Sequence, residues 1–210
     1  MTIQEFNVNL KLFIDSNNIL RPFICDGSPL ECNIFIVGIN PATSLNNSFF
    51  NYYNLSVFDK KKWMIDYCES RRNKKTLISP TRKKIENLVN DIFGEHKCLE
   101  TNIYSHPSID LKSLDNKFKS TEIINFLVES IRPKALFIHG KNPSDFVKGK
   151  FHTIYSSQIF NNSKHIGTIY IAEWQFGRIV ICEMKHLRLV SQNNLNVCAT
   201  EMLKKLKELG

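Results

Sequence analysis

A chain of 210 residues is long enough for one sizeable core and short for two ordinary domains, and its 42% apolar and 23% charged residues are those of a globular protein. No run approaches the roughly 18 apolar residues of a membrane span, and Met1-Thr-Ile-Gln-Glu-Phe6 lacks the basic region and small-residue cleavage site of an export signal, so a cytoplasmic location is expected. The formal net charge is +8, and the ten basic residues between Lys60 and Lys84 oppose only Asp66 and Glu69, so this window carries the whole excess. A phosphate backbone selects for such a concentration of charge; the alternative is a solvated lysine-rich surface.

In chain order, Ile3, Phe6, Leu10 and Phe13 recur at helical spacing and predict a helix over 2–16, ending near Asn17-Asn18. Residues 19–31, with Pro22, Gly27 and Pro29, read as a connecting loop. Asn33-Ile-Phe-Ile-Val37 is a short buried strand. Residues 40–80 lack a clean period but hold Phe49, Phe50, Tyr52, Tyr53, Phe58 and Trp63, as a long functional loop would. Ser79-Pro80-Thr81 starts a helix striped by Ile85, Leu88, Val89, Ile92 and Phe93 and closed by Gly94. A second strand follows over 98–104. The next helix begins near Ser120, with Pro133 just past its end, and leads to a third strand over 134–139. A short helix over 144–150 precedes strands at 166–172 and 177–183, with Trp174 and Gln175 at their turn. The closing helix covers roughly 194–208. Alternating strands and helices predict a single domain over 1–210, a three-layer α/β/α fold with a mostly parallel sheet of four to five strands. Ligands of such sheets bind beyond the carboxyl ends of the strands.

Beyond the first strand lies Gly38-Ile-Asn-Pro-Ala-Thr-Ser44. Glycine permits a sharp turn and a close backbone approach, proline stiffens the loop, and Asn40 between them presents an amide that donates and accepts. Neither a triphosphate loop nor a dinucleotide fingerprint is present. The six cysteines contain no CxxC pair and mostly sit in apolar surroundings, as reduced buried thiols do.

Gly-Ile-Asn-Pro directly after a buried first strand resembles the first motif of the uracil-DNA glycosylase superfamily, in the form found in its mismatch-specific uracil/thymine branch. Lys185-His-Leu-Arg-Leu-Val-Ser191 is similar to the second motif, with His186 and Ser191 at the family's spacing, and Thr101-Asn102 to the strand-end Asn that reads the base. The resemblance spans roughly residues 32–205. Ala42 stands where the family usually has Gly, and Leu187-Arg188 where it has Pro-Ser, and both narrow the loops that would grip a nucleotide.

The resemblance implies a glycosylase that flips its target base from DNA at a cost of roughly a few kcal/mol. Asn40 and His186 are the expected catalytic pair, Asn40 positioning water and His186 stabilising charge on the departing base. Gly38, Ile39, Pro41, Phe50 and Asn102 are expected at the base, with Phe50 stacking on it. Lys185, Arg188, Leu189, Val190 and Ser191 are expected at the DNA, with Leu189 or Val190 as the wedge. No cofactor, metal or iron–sulfur cluster is expected, and a monomer is. Two other functions fit the same residues: a glycosylase-like module that binds nucleic acid without cutting, and a small-molecule nucleoside or nucleotide hydrolase. His106-Pro-Ser108 resembles the second motif locally, but it follows strand two and is set aside. His139 ends strand three without a partner at metal-ligand spacing.

Overall fold

The computed structural model describes residues 1–14 and 19–209, apart from the side chain of Asn142. The chain runs through α1 (Ile3–Ile14), β1 (Phe23–Cys25), β2 (Ile34–Gly38), a small hairpin of β3 (Tyr53–Asn54) and β4 (Val57–Phe58), α2 (Lys60–Glu69), α3 (Pro80–Asn87) and β5 (Cys98–Asn102). It continues with α4 (Glu122–Ile131), β6 (Ala135–His139), α5 (Lys141–Lys150), β7 (His152–Asn161), β8 (Lys164–Trp174), β9 (Gly177–Met184) and α6 (Gln192–Leu209). The expected end of the first helix near Asn17-Asn18 lies outside the described residues.

One sheet of seven strands has the order β1-β5-β2-β6-β9-β8-β7. Its centre, β5-β2-β6-β9, is parallel throughout. The flanks are antiparallel: β1 pairs with β5, β8 with β9, and β7 with β8. The sheet is therefore mixed and larger than the mostly parallel four- to five-stranded sheet expected. Two strands escape sequence patterning for physical reasons. Strand β1, expected as loop, has three residues, too few for a period. Strand β7 is exposed along most of its length and has no apolar stripe, because pairing with β8 rather than burial holds it. The β8–β9 turn is Gln175-Phe176, with Trp174 opposite Gly177 at φ 112°, a conformation glycine adopts without strain.

Residues 40–80 are not one loop. Asp59 caps α2 by accepting from the Lys62 amide at 2.9 Å. The helix buries only Trp63 and Tyr67, four residues apart, and surrounds them with lysines and acids, which hid its period. Ser79 caps α3 as expected, and that helix widens into a π turn over Leu88–Phe93 before Gly94.

The two faces of β2 define the layers. Phe35 and Val37 point into one apolar cluster with Phe6 and Leu10 of α1 and Ile124 and Leu127 of α4. Ile34 and Ile36 point into the other, with Ile85 and Leu88 on the α3 side and Leu195 and Met202 of α6. All six cysteines are free and five are buried. Among the described residues, no helix is long and apolar enough to cross a membrane.

Helix α6 lies close against β8 at Gly167. A Cβ there would fall 2.8 Å from Cys198 Sγ and 2.9 Å from the Glu183 carbonyl oxygen, which is backbone and cannot step aside. Gly167→Ala is expected to destabilise the fold by about 1–3 kcal/mol in urea unfolding. Unchanged stability would show that helix and sheet are not in contact there.

Candidate functional site

The chain leaves β2 for β5 on one side and returns to β6 on the other, so the strand order reverses at β2. Crevices form beyond the carboxyl ends of strands at such points. A cleft of about 590 Å³ opens there, floored by the ends of β2, β5 and β6 and walled by α2, α3 and the turn after β9.

Gly38 makes the floor. A Cβ at this position would sit 2.7 Å from Asn102 Oδ1 and 3.2 Å from His139 Cε1, so only a glycine lets both side chains close over the strand end. The Asn102 side chain lines the cleft and has no hydrogen-bond partner among the described residues. Backbone bonds from Ile103 to Gly38, from Tyr104 to Ile39 and from Ser108 to Pro41 zip the loops after β5 and β2 together.

That zipper decides how Asn40 is presented. Its Nδ2 donates to the Ser108 carbonyl at 2.8 Å and to Ser108 Oγ at 2.9 Å, while Ser108 Oγ donates to the Asp110 carbonyl at 2.6 Å. The nitrogen of the amide is occupied, and its carbonyl oxygen remains as an acceptor beside the cleft.

His186 opens the turn after β9. Its Nδ1 accepts the Arg188 amide N–H at 3.2 Å, so the neutral ring carries its proton on Nε2. Burial, then Arg188 and Lys84, hold its pKa below the ordinary histidine value. The Lys84 ammonium fixes the turn from the α3 side, donating to the Leu187 carbonyl at 2.8 Å and to that of Val190. His139 meets His186 edge-on with ring centres 5.2 Å apart. It is 5% exposed, and its Nδ1 is sealed from solvent without a partner.

The opposite wall carries Trp63, Tyr67, Arg82 and Glu100. Arg82 Nη1 binds Glu100 Oε2 at 2.5 Å and Glu86 Oε1 at 3.1 Å, and Lys60 reaches Glu86 at 2.9 Å. Burial works against the guanidinium charge, but the Glu100 and Glu86 carboxylates outweigh it and keep Arg82 protonated. The guanidinium lies 4.8 Å from the centre of the Trp63 ring.

Of the residues expected from sequence, Gly38, Ile39, Asn40, Pro41, Asn102, His186 and Arg188 line this cleft together. Phe50 does not; it packs edge-on against Phe49 at 5.5 Å, and Trp63 and Tyr67 form the aromatic wall instead. Val190 is buried at 9%, whereas Leu189 is 75% exposed at the tip of the turn, so of the two expected wedge residues only Leu189 is exposed. Lys185 and Ser191 lie outside the cleft lining; Ser191 Oγ accepts from the Asn194 amide at 3.2 Å in the first turn of α6. The basic window is divided: Lys60, Arg82 and Lys84 are consumed internally, while Lys61, Lys74, Lys75 and Lys83 stay exposed. Ser108, set aside at the sequence level, holds Asn40. His139 carried no sequence signal beyond ending a strand. Among the described residues, no three His, Cys, Asp or Glu side chains cluster as a metal site. No family model and no curated protein matches the chain.

Burial first, and His186 second, push the His139 pKa down to about 3. An unfolded chain takes up this proton near 6.5, so it binds more protons than the fold between those values, and stability falls as pH falls from about 6.5 towards 3. From pH 7 to pH 5 this one group should remove about 2 kcal/mol. Unfolding curves of His139→Gln should lack that portion of the decline; an identical decline would place His139 in solvent.

Proposed function

We propose that the chain hydrolyses the N-glycosidic bond of a uracil-like or otherwise damaged base flipped out of DNA, as a monofunctional DNA glycosylase. One observation carries the reading: Asn40, Asn102 and His186, successively 62 and 84 residues apart in sequence, meet at one cleft. Each offers what the reaction needs. The Asn102 amide, without a partner among the described residues, can satisfy one donor and one acceptor on a base edge. The Asn40 carbonyl oxygen accepts a hydrogen from water and directs the water's lone pair at the sugar carbon. As the C–N bond breaks, its electron pair leaves with the base, and His186 Nε2–H donates to the base oxygen where that charge gathers. The water's proton passes to the departing base or to solvent, since an amide cannot hold it. Leu189 and Arg188, side by side on the exposed turn, suit the stack and a phosphate.

The amide at position 40 also favours a second reading, a module that holds a flipped base without cutting it. Incubation with single strands and duplexes bearing uracil, T·G, hypoxanthine or alkylated bases, followed by alkali, separates the two. DNA bound without any alkali-labile site would sink the hydrolase in favour of the module.

Removing the His186 donor as His186→Ala is expected to slow cleavage by about 10²–10³. Asn40→Asp supplies a base but turns one carboxylate oxygen towards the Ser108 carbonyl, which accepted the amide N–H at 2.8 Å. Two facing acceptors disfavour the charged form, so the new carboxyl should titrate above about 3.9. The Asn40→Asp rate should therefore pass that of the parent by about tenfold or more at pH 8 and lose that advantage as pH falls through the new carboxyl's titration. A pH-independent rate no faster than the parent's would refute the water-positioning role.

A further inference from the structure

The far end of the cleft, at the β1 edge, is built differently from the His186 end. Arg21 lines it, just ahead of β1. The Nε and Nη2 of its guanidinium are sealed from solvent with no hydrogen-bond acceptor. The Arg21 amide donates to the Ser105 carbonyl at 2.9 Å, which sets the two residues side by side, and Ser105 Oγ is likewise buried without a partner. Three of the five such atoms among the described residues thus belong to this one pair. All three can donate, and among the described residues none accepts.

The surrounding charge sharpens the imbalance. Arg82 is matched by Glu86 and Glu100, but among the described residues no carboxylate pairs with Arg21. Arg82, of the same sign, works against its charge, while Tyr52 and Tyr67 partly offset it. Burial, with Arg82 second, lowers its pKa only to about 10, so it stays a cation at neutral pH. Trp63 backs it with the ring centre 5.8 Å away, which supports a cation but gives its N–H groups no lone pair. A buried, unpaired charge is a heavy cost to a fold, and it is relieved when a ligand brings the missing anion.

We propose that this end of the cleft receives an oxyanion of the ligand, and that the oxyanion is a phosphate group of a nucleotide. The assignment to a nucleotide rests on the glycosidic-bond reading of the same cleft. Geometry supports it independently. Arg21 precedes β1 and His186 follows β9, four strand positions away. At about 4.8 Å per strand the backbone ends lie roughly 19 Å apart, more than a free base spans. The aromatic wall of Trp63 and Tyr67 flanks the Arg21 end, where a ring attached to that phosphate would lie.

The test is thermal unfolding in 10 mM sodium phosphate against sodium chloride of equal ionic strength. The parent Tm is expected to rise by about 3 °C in phosphate. Arg21→Met should unfold in chloride at or above the parent Tm, since an apolar chain of similar length removes the unpaired charge, and should show no phosphate response. No rise in the parent, or an equal rise in Arg21→Met, overturns the proposal. Calorimetric titration of phosphate into Arg21→Gln and Arg21→Lys provides a second measurement should the Met variant fail to fold. Binding weakened tenfold or more in Gln, and less in Lys, supports the site, and equal affinities overturn it. Displacement of phosphate by uridine 5′-monophosphate assigns a free nucleotide. Displacement by an unphosphorylated thymidine trinucleotide assigns a strand phosphate, and displacement by neither overturns the nucleotide assignment. A phosphate response at Arg21 without alkali-labile sites on any DNA would leave this subsite and remove the glycosylase; cleavage without the response would do the reverse.

Discussion

Strand β2 has no free side. Its residues 34–37 are at most 1% exposed, both faces are covered by apolar clusters, and both edges are hydrogen-bonded to parallel neighbours. A strand bound in all four directions cannot slip its register, because a one-residue shift would exchange its two faces. Everything at the cleft is measured from where β2 stops. Gly38 comes last, opposite Asn102 in the β5 register, and from there the loop carrying Asn40 starts at a fixed height. Asn102 and His139 are in turn the last residues of the strands on either side. Three strand ends of different sequence origin are thereby aligned to within the pleat of one sheet.

The polar groups of the cleft separate into those the fold satisfies and those it leaves open. Asn40 has its nitrogen satisfied by Ser108, His186 has Nδ1 satisfied by a backbone amide, and Arg82 is held by two carboxylates. Each is thus fixed in orientation, with one function left over. Asn102, His139 and Arg21 lack such partners among the described residues and line the same cavity. A site that pre-orients some groups and leaves others unmatched is arranged for a ligand that supplies both acceptors and donors, which a bare apolar molecule does not.

The central architecture was legible in the sequence because β2, β5, β6 and β9 are short apolar runs between helices with clear stripes. The flanking strands were not, since β7 shows solvent most of its side chains and β1 is too brief to show a pattern. Helix α2 was hidden because two aromatic residues supply its whole buried face. In the site, Gly38, Asn40, Asn102 and His186 could be found because each sits at a strand end within a recognisable string. Phe50 misled because aromatic residues crowd that segment and most of them pack inside, whereas Trp63 and Tyr67 reach the cleft only through the unseen helix. Ser108, His139 and Arg21 act through contacts made across the fold, and a contact between distant residues leaves no trace in local spacing.

The clasp of Lys84 on the Leu187 and Val190 carbonyls joins residues 103 and 106 positions apart. Surface turns ordinarily open on their own, with a free energy near zero. This one is fastened to a helix whose Ile85 and Leu88 are packed into the core. Opening the turn therefore means breaking bonds that a side chain of α3 holds. The histidine turn is thereby tied to an element of the core, so opening it should cost more than opening an untethered surface turn.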